Sequence, residues 1–197
     1  MGNTMRSLYT LPAAALAAAL LAAPVLAQDA DLDMGQQGSE AAPQVGQTYQ
    51  REQIGDWNID CVKSEDGQEE PCQMTQLMTR EDGNPIATAA FFKTPEGSQA
   101  AAGATIMVPL ETFLPAGLLL NVDGNEDKVY NFSFCNPNGC VARVGFTAEE
   151  LAAFKAGAQA NLTIRPAAAA DVAVPMLLSL TGFTKAFDAV TAVPGAN

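Results

Sequence analysis

The sequence predicts a mainly β domain, an antiparallel sandwich or barrel with one or two short helices and two local disulfides. Three observations lead there. Apolar and polar residues alternate over many short runs, turn-forming Gly, Asn, Asp and Pro separate those runs, and four cysteines fall into two near pairs. Alternation of period two marks strands with one buried face. Frequent turns between short strands favour all-β layers over a parallel α/β sheet.

The elements follow in order. Trp57-Asn58-Ile59-Asp60-Cys61 places Trp57, Ile59 and Cys61 on one inward face. Ser64 to Glu70 turns the chain, and Pro71 to Thr79 returns with Cys72, Met74, Gln76 and Met78 on one side. Glu81-Asp82-Gly83-Asn84 is a turn in which Asp-Gly supplies positive φ. Ile86 to Lys93 is the next strand, with Phe91 and Phe92 on opposite sides, and weaker strands follow at Ala104 to Val108 and Leu118 to Asp123. Asn131 to Cys135 and Cys140 to Phe146 flank the turn Asn136-Pro137-Asn138-Gly139, where Pro137 fixes φ. Thr147-Ala148-Glu149-Glu150 is a capping box that starts a helix, with Gly157 as a left-handed stop. Ala160 to Arg165 and Val172 to Leu180 close the sheet, and Gly182 to Val190 forms a short helix that buries Phe183 and Phe187.

Four cysteines allow three pairings. Geometry favours Cys61 with Cys72 across a hairpin loop and Cys135 with Cys140 across a four-residue turn, since paired strands bring each couple within reach of a disulfide. Neither spacing suits a redox-active C-x-x-C at a helix start or a zinc site.

Residues 1–27 read as a cleavable export signal. An apolar run from Leu11 to Ala23 follows Arg6 and precedes Pro24-Val25-Leu26-Ala27, in which Val25 and Ala27 fit a signal-peptidase site. That run is shorter than the roughly 20 residues a membrane-spanning helix needs, and no later stretch is long and apolar enough to span. Residues 28–47 read as a loosely attached lead-in, 48–191 as a single domain, and 192–197 as a tail. Removing 27 of 197 residues leaves 170, with 9 basic against 22 acidic residues, a net charge of −13. Such a chain is repelled by nucleic acid and anionic lipid.

The chain has no histidine, which excludes the Ser-His-Asp, Cys-His and H-E-x-x-H arrangements. Asp123 to Asp127 imitates the start of a calcium loop but has Lys128 where glycine is needed and Phe134 where glutamate is needed. Glu69 with Glu70, and Glu149 with Glu150, read as solvated turn and helix-start residues rather than a glycosidase pair. No catalytic, cofactor-binding or metal-binding residue is assigned.

The set Gly55-Asp56-Trp57-Asn58-Ile59-Asp60-Cys61, Pro71-Cys72-Gln73-Met74, Phe134-Cys135 with Asn138-Gly139-Cys140, and Leu178-Ser179-Leu180-Thr181-Gly182-Phe183-Thr184-Lys185-Ala186 resembles the invasion-associated locus B family of exported bacterial proteins. The likeness spans about residues 50 to 190. It implies a compact immunoglobulin-like β-sandwich in the periplasm or at the cell surface, no transferable catalytic residues, and in some pathogens an association with invasion of host cells. The leading expectation is a non-enzymatic protein that binds an unidentified protein or envelope component through a loop or face. An exposed apolar patch at Phe113, Leu114 or Leu118 to Leu120 would serve that role. A periplasmic enzyme acting on carbohydrate through acidic residues, and a structural or stress-related envelope protein, are the alternatives.

Overall fold

The computed structural model describes residues 42–80 and 82–192. The expected leader at 1–27, the lead-in up to residue 41, the turn residue Glu81 and the tail from residue 193 lie outside the described residues.

Eleven strands and two helices are present among the described residues: β1 Thr48–Ile54, β2 Trp57–Val62, β3 Cys72–Thr79, β4 Pro85–Lys93, β5 Ala102–Val108, β6 Leu118–Val122, β7 Lys128–Tyr130, β8 Phe134–Asn136, β9 Gly139–Phe146, α1 Ala148–Ala156, β10 Gln159–Ile164, β11 Val174–Ser179 and α2 Phe183–Ala189. All strand pairs are antiparallel, and they form one path in the order β7-β6-β10-β11-β3-β4-β5-β9-β8, with β2 also on β3 and β1 on β2.

The path curls over its own core. Seven interstrand steps separate β7 from β9, and in a flat sheet at ~4.8 Å per step they would lie over 30 Å apart. The rings of Tyr130 on β7 and Phe146 on β9 have centroids only 6.0 Å apart. The expected sandwich layers are thus two halves of a continuous antiparallel sheet, facing each other across the buried side chains.

The alternation read from sequence decides which side chains meet there. Trp57, Ile59, Cys61, Met74, Met78, Ala89 and Phe91 are buried, while their strand neighbours are at least partly exposed. Phe91 is the centre of an aromatic cluster, with ring centroids 5.3 to 5.5 Å from Trp57, Phe146, Phe154 and Phe183. One β4 side chain therefore joins β2, β9, α1 and α2. Edge-to-face and stacked pairs of this kind add stability beyond area burial, about 0.5–1.5 kcal/mol each. The Trp57 indole N–H has no hydrogen-bond acceptor among the described residues; its ring packs edge-on against Phe91 and Phe183.

Two expectations are corrected. Gly157 ends α1 in an extended conformation, φ −76° and ψ 163°, rather than left-handed. Its role is close approach: a Cβ there would sit 2.6 Å from Val122 Cγ1. The strand expected from Asn131 is confined to Phe134–Asn136, because Ser133 instead donates its N–H to Val141 O as the chain passes between the two ends of the sheet. Before Trp57 the chain forms the polar strand β1, an element the sequence reading did not name, with a bulge between Gln50 and Glu52. Gly46 N–H donates to Lys63 O and Lys63 N–H donates to Gln47 O, so hydrogen bonding to the domain begins two residues before β1.

Candidate functional site

The covalent framework is local. Cys61 and Cys72 are directly opposed on β2 and β3 and form a disulfide with Cα atoms 4.1 Å apart. Cys135 and Cys140 are opposed on β8 and β9 and form the second, 4.0 Å apart. The first is buried in the core, whereas Cys135 lies exposed at a hairpin.

The candidate site arises where the sheet forks. Along one side of β3, residues Cys72 to Thr75 pair with β2, but β11 meets β3 only at Thr79. A strand that diverges leaves backbone groups without ladder partners, and buried unpaired groups are costly. Gln76 resolves this. It belongs to the inward row of β3 and is 8% exposed. Its Nε2 donates to Asp56 O and to Ser179 O, each at 3.1 Å, and its Oε1 accepts from Ser179 N–H at 2.7 Å. The side-chain amide thus stands in for the missing stretch of backbone.

Two tight turns close the end of the fork. Gly55 has φ +60° and Gly182 has φ +82°, and a Cβ on Gly55 would lie 2.4 Å from Thr181 O. This close approach lets Asp56 N–H donate to Thr181 O at 3.2 Å and Ser179 Oγ donate to Asp56 Oδ2 at 2.5 Å. The residues that carry the family resemblance at the two ends of the domain, Gly55-Asp56-Trp57 and Ser179 to Phe183, are in contact here, with the Trp57 and Phe183 rings 5.4 Å apart.

The fork opens outward as a groove of about 490 Å³, lined by Gln53, Asp56, Asn58, Gln76, Leu77, Thr79, Ala158, Gln159, Leu177 and Ser179. Its only carboxylate is Asp56, and it has no lysine or arginine. A serine on a carboxylate lacks the imidazole that would make it a nucleophile, and the chain has no histidine to supply one. A shallow hollow of about 370 Å³ adjoins it, lined by Leu77, Pro85, Ile86, Ala87, Thr88, Met107, Val108, Pro109 and Asn138. Leu77, 57% exposed, is the wall common to both.

The carboxylates singled out from sequence lie elsewhere and are held apart. Glu70 accepts hydrogen bonds from Lys63 at 2.7 Å and from Tyr49, and both lower its pKa. Burial pushes the Glu150 carboxyl up, but hydrogen bonds from Lys128, Thr147 and Tyr130 outweigh it and hold the group at about 2. Burial, then the Glu150 hydrogen bond, raise the Tyr130 phenol in return. A general acid of a glycosidase needs the opposite displacement. Asp123, in the calcium-like segment, accepts the N–H groups of Ala158 and Gln159. No three acidic or cysteine side chains converge as a metal site among the described residues. Of the expected apolar patch, Leu114 is exposed, Phe113 and Leu119 are half-buried, and Leu118 and Leu120 are buried. That segment is largely core, and the exposed apolar wall is Leu77. Sequence reading passed over Gln76, Asn58 and Gln159; the usable signal was one amide in the otherwise apolar row Cys72, Met74, Gln76, Met78.

Comparison with known proteins bears on this geometry. The family model described as invasion associated locus B (IalB) protein matches residues 57–191, well over half of the chain. Invasion protein B homologs from two strains of Brucella abortus are each 29% identical over 150 residues, covering 75% of this chain and 79% of theirs. The crystal structure of invasion associated protein B from Bartonella henselae superposes with a TM-score of 0.56 at 22% identity, covering 71% of this chain and 92% of that one, a likeness of fold. The matched span begins at Trp57 and ends at Thr191, so it holds both disulfides, Gln76, Ser179 and the Gly182 turn, with Gly55 and Asp56 immediately before it: the chain belongs to the invasion associated locus B family.

Proposed function

We propose that the protein is exported, with its signal removed near Ala27, and acts in the periplasm or at the cell surface as a non-enzymatic binding protein for an envelope or host component. The observation that carries this reading is the groove at the sheet fork. It presents amide groups and an apolar wall on a disulfide-braced scaffold, and one oxygen of its single carboxylate accepts from Ser179. Such a surface suits recognition, because it offers hydrogen-bond donors and acceptors without a nucleophile, a general base or a pair of carboxylates set for acid–base work. One further observation supports export: all four cysteines are paired, as is usual in oxidising compartments. The names of the Brucella and Bartonella relatives support a role in invasion.

The test is proximity crosslinking of the exported protein in its native cell, read by mass spectrometry, with and without extracellular protease. A reproducible partner, lost when surface protease removes the protein, is expected for a surface-exposed binding module. Full protection from protease with no partner, together with turnover of an oligosaccharide by the purified chain, would overturn the reading in favour of a periplasmic enzyme.

A further inference from the structure

The groove and the hollow share a wall and differ in chemistry, and the register of the strands shows how they are joined. Leu77 on β3 is opposite Thr88 on β4, Thr88 is opposite Met107 on β5, Met107 is opposite Val141 on β9, and Val141 is opposite Phe134 on β8. Directly opposed residues of antiparallel strands point to the same face. These five side chains therefore form one transverse row on the outer face. Val141 is only 5% exposed although it is not part of the main core. No acidic residue falls in the row, in a chain of net charge −12.

We propose that the groove and the hollow together bind an extended peptide segment of neutral to basic character, lying across β11, β3, β4 and β5. This deepens the binding reading above and rests on it. Three observations select a peptide. The amide groups lining the polar end offer both donors and acceptors: Asn58 Oδ1 accepts from Gln50 and Gln159 Nε2 donates to Asn161, which leaves Asn58 Nδ2 and Gln159 Oε1 without partners among the described residues. An extended backbone presents the same alternation of N–H and C=O, so side-chain amides pair with it in either direction. Beyond Leu77 the lining becomes apolar, through Ile86 and Met107, as an alternating peptide side chain requires. Three interstrand steps span roughly 15 Å, the length of about five extended residues.

The chemistry also argues against the competing ligand classes. Neither the groove nor the hollow is lined by an aromatic ring on which the apolar face of a sugar could stack. Neither contains a lysine or arginine to hold phosphate or carboxylate. Asp56 is the only acidic residue lining either cavity, and its Oδ1 is not taken by Ser179, so a lysine or arginine on the peptide is the complementary partner.

The experiment is a positional-scanning library of N-acetylated, C-amidated hexapeptides presented to the full mature chain, with binding read by fluorescence anisotropy. Selected peptides are expected to contain a lysine or arginine at one position and an aliphatic residue two or more positions away. Leu77→Glu should weaken them at least tenfold, Asp56→Asn should abolish only the basic preference, and the Asn58→Ala/Gln159→Ala pair should weaken all of them. Circular dichroism and thermal melting establish that each variant is folded. An unenriched library, or affinities unchanged in Leu77→Glu, would overturn the proposal. Competition by chitotetraose or a peptidoglycan disaccharide, abolished by Leu77→Glu, would assign the site to glycans and overturn the peptide class while sparing the binding reading. Concentration-dependent dimerisation abolished by Leu77→Glu would assign it to a second copy instead. If Leu77→Glu loses peptides yet keeps its crosslinked cellular partner, the partner binds elsewhere and this assignment fails alone.

Discussion

Gln76 shows how a single side chain permits a fork in a sheet. Its three hydrogen bonds serve backbone groups of Asp56 and Ser179 that would otherwise be stranded. Gln76→Leu should therefore cost on the order of 2–4 kcal/mol, more than an apolar gain at a buried position returns, because unsatisfied buried groups lose about 1–3 kcal/mol each. Chemical denaturation measures this, and a stability equal to wild type would show that water replaces the amide. Gly55 answers to a different constraint. With φ +60° and Thr181 O only 2.4 Å from where a methyl carbon would stand, Gly55→Ala must move the Thr181–Gly182 turn, and the melting temperature should fall by several degrees. Phe91 touches four other rings, so Phe91→Ala should cost about 3–5 kcal/mol.

Helix α1 was legible because its start is chemical rather than statistical. Thr147 Oγ1 accepts the Glu150 N–H at 3.2 Å while Glu150 Oε2 accepts the Thr147 N–H at 2.7 Å. The same Glu150 accepts from Lys128 at 2.7 Å and Tyr130 at 2.8 Å, which fastens the short edge strand β7 to the helix. No local pattern announces β7, whose three residues exist as a strand only through β6 and this clamp. Strand β1 was hidden for a related reason: only Tyr49 and Ile54 are sheltered from solvent, and pairing with β2 overrides a polar sequence. Gly157 misled because a glycine after a helix signals a left-handed turn, whereas here it makes room for Val122. The clamp has a pH signature. Glu150 titrates at about 2 when folded, against an ordinary value of 4.5, so its stabilisation is present above about pH 4.5 and lost as pH falls toward 2. Glu150→Gln should be less stable at pH 7 by on the order of 1 kcal/mol after solvent screening, with the difference shrinking below pH 4.5; a pH-independent difference in thermal melts would show that the charge is not what matters. Thr147→Ala should cost about 1 kcal/mol.

At the scale of the molecule, alternation and cysteine spacing made the β class and the two cross-strand bridges readable, since both depend on neighbours along the chain. The fork was not readable, because it depends on where β11, a hundred residues away, departs from β3. The motif residues were visible in sequence, but only the fold shows that they meet as a joint between the two ends of the domain. Replacing Cys61 and Cys72 by serine should cost about 3 kcal/mol and replacing Cys135 and Cys140 about 2 kcal/mol, since loop-closure entropy grows with the logarithm of the loop closed; equal melting points for mutant and wild type would argue against that role. The two ends of the domain also meet. Thr191 Oγ1 accepts the Cys72 N–H at 2.8 Å, Cys72 lies opposite Cys61, and Cys61 lies opposite Tyr49, so the first strand and the contacts of Thr191 are two strand spacings apart, roughly 10 Å. A short linker could bridge that gap. The domain is therefore built like a cassette: a circular permutant that joins these ends and opens the Asp82–Gly83 turn is expected to fold, which thermal melting checks.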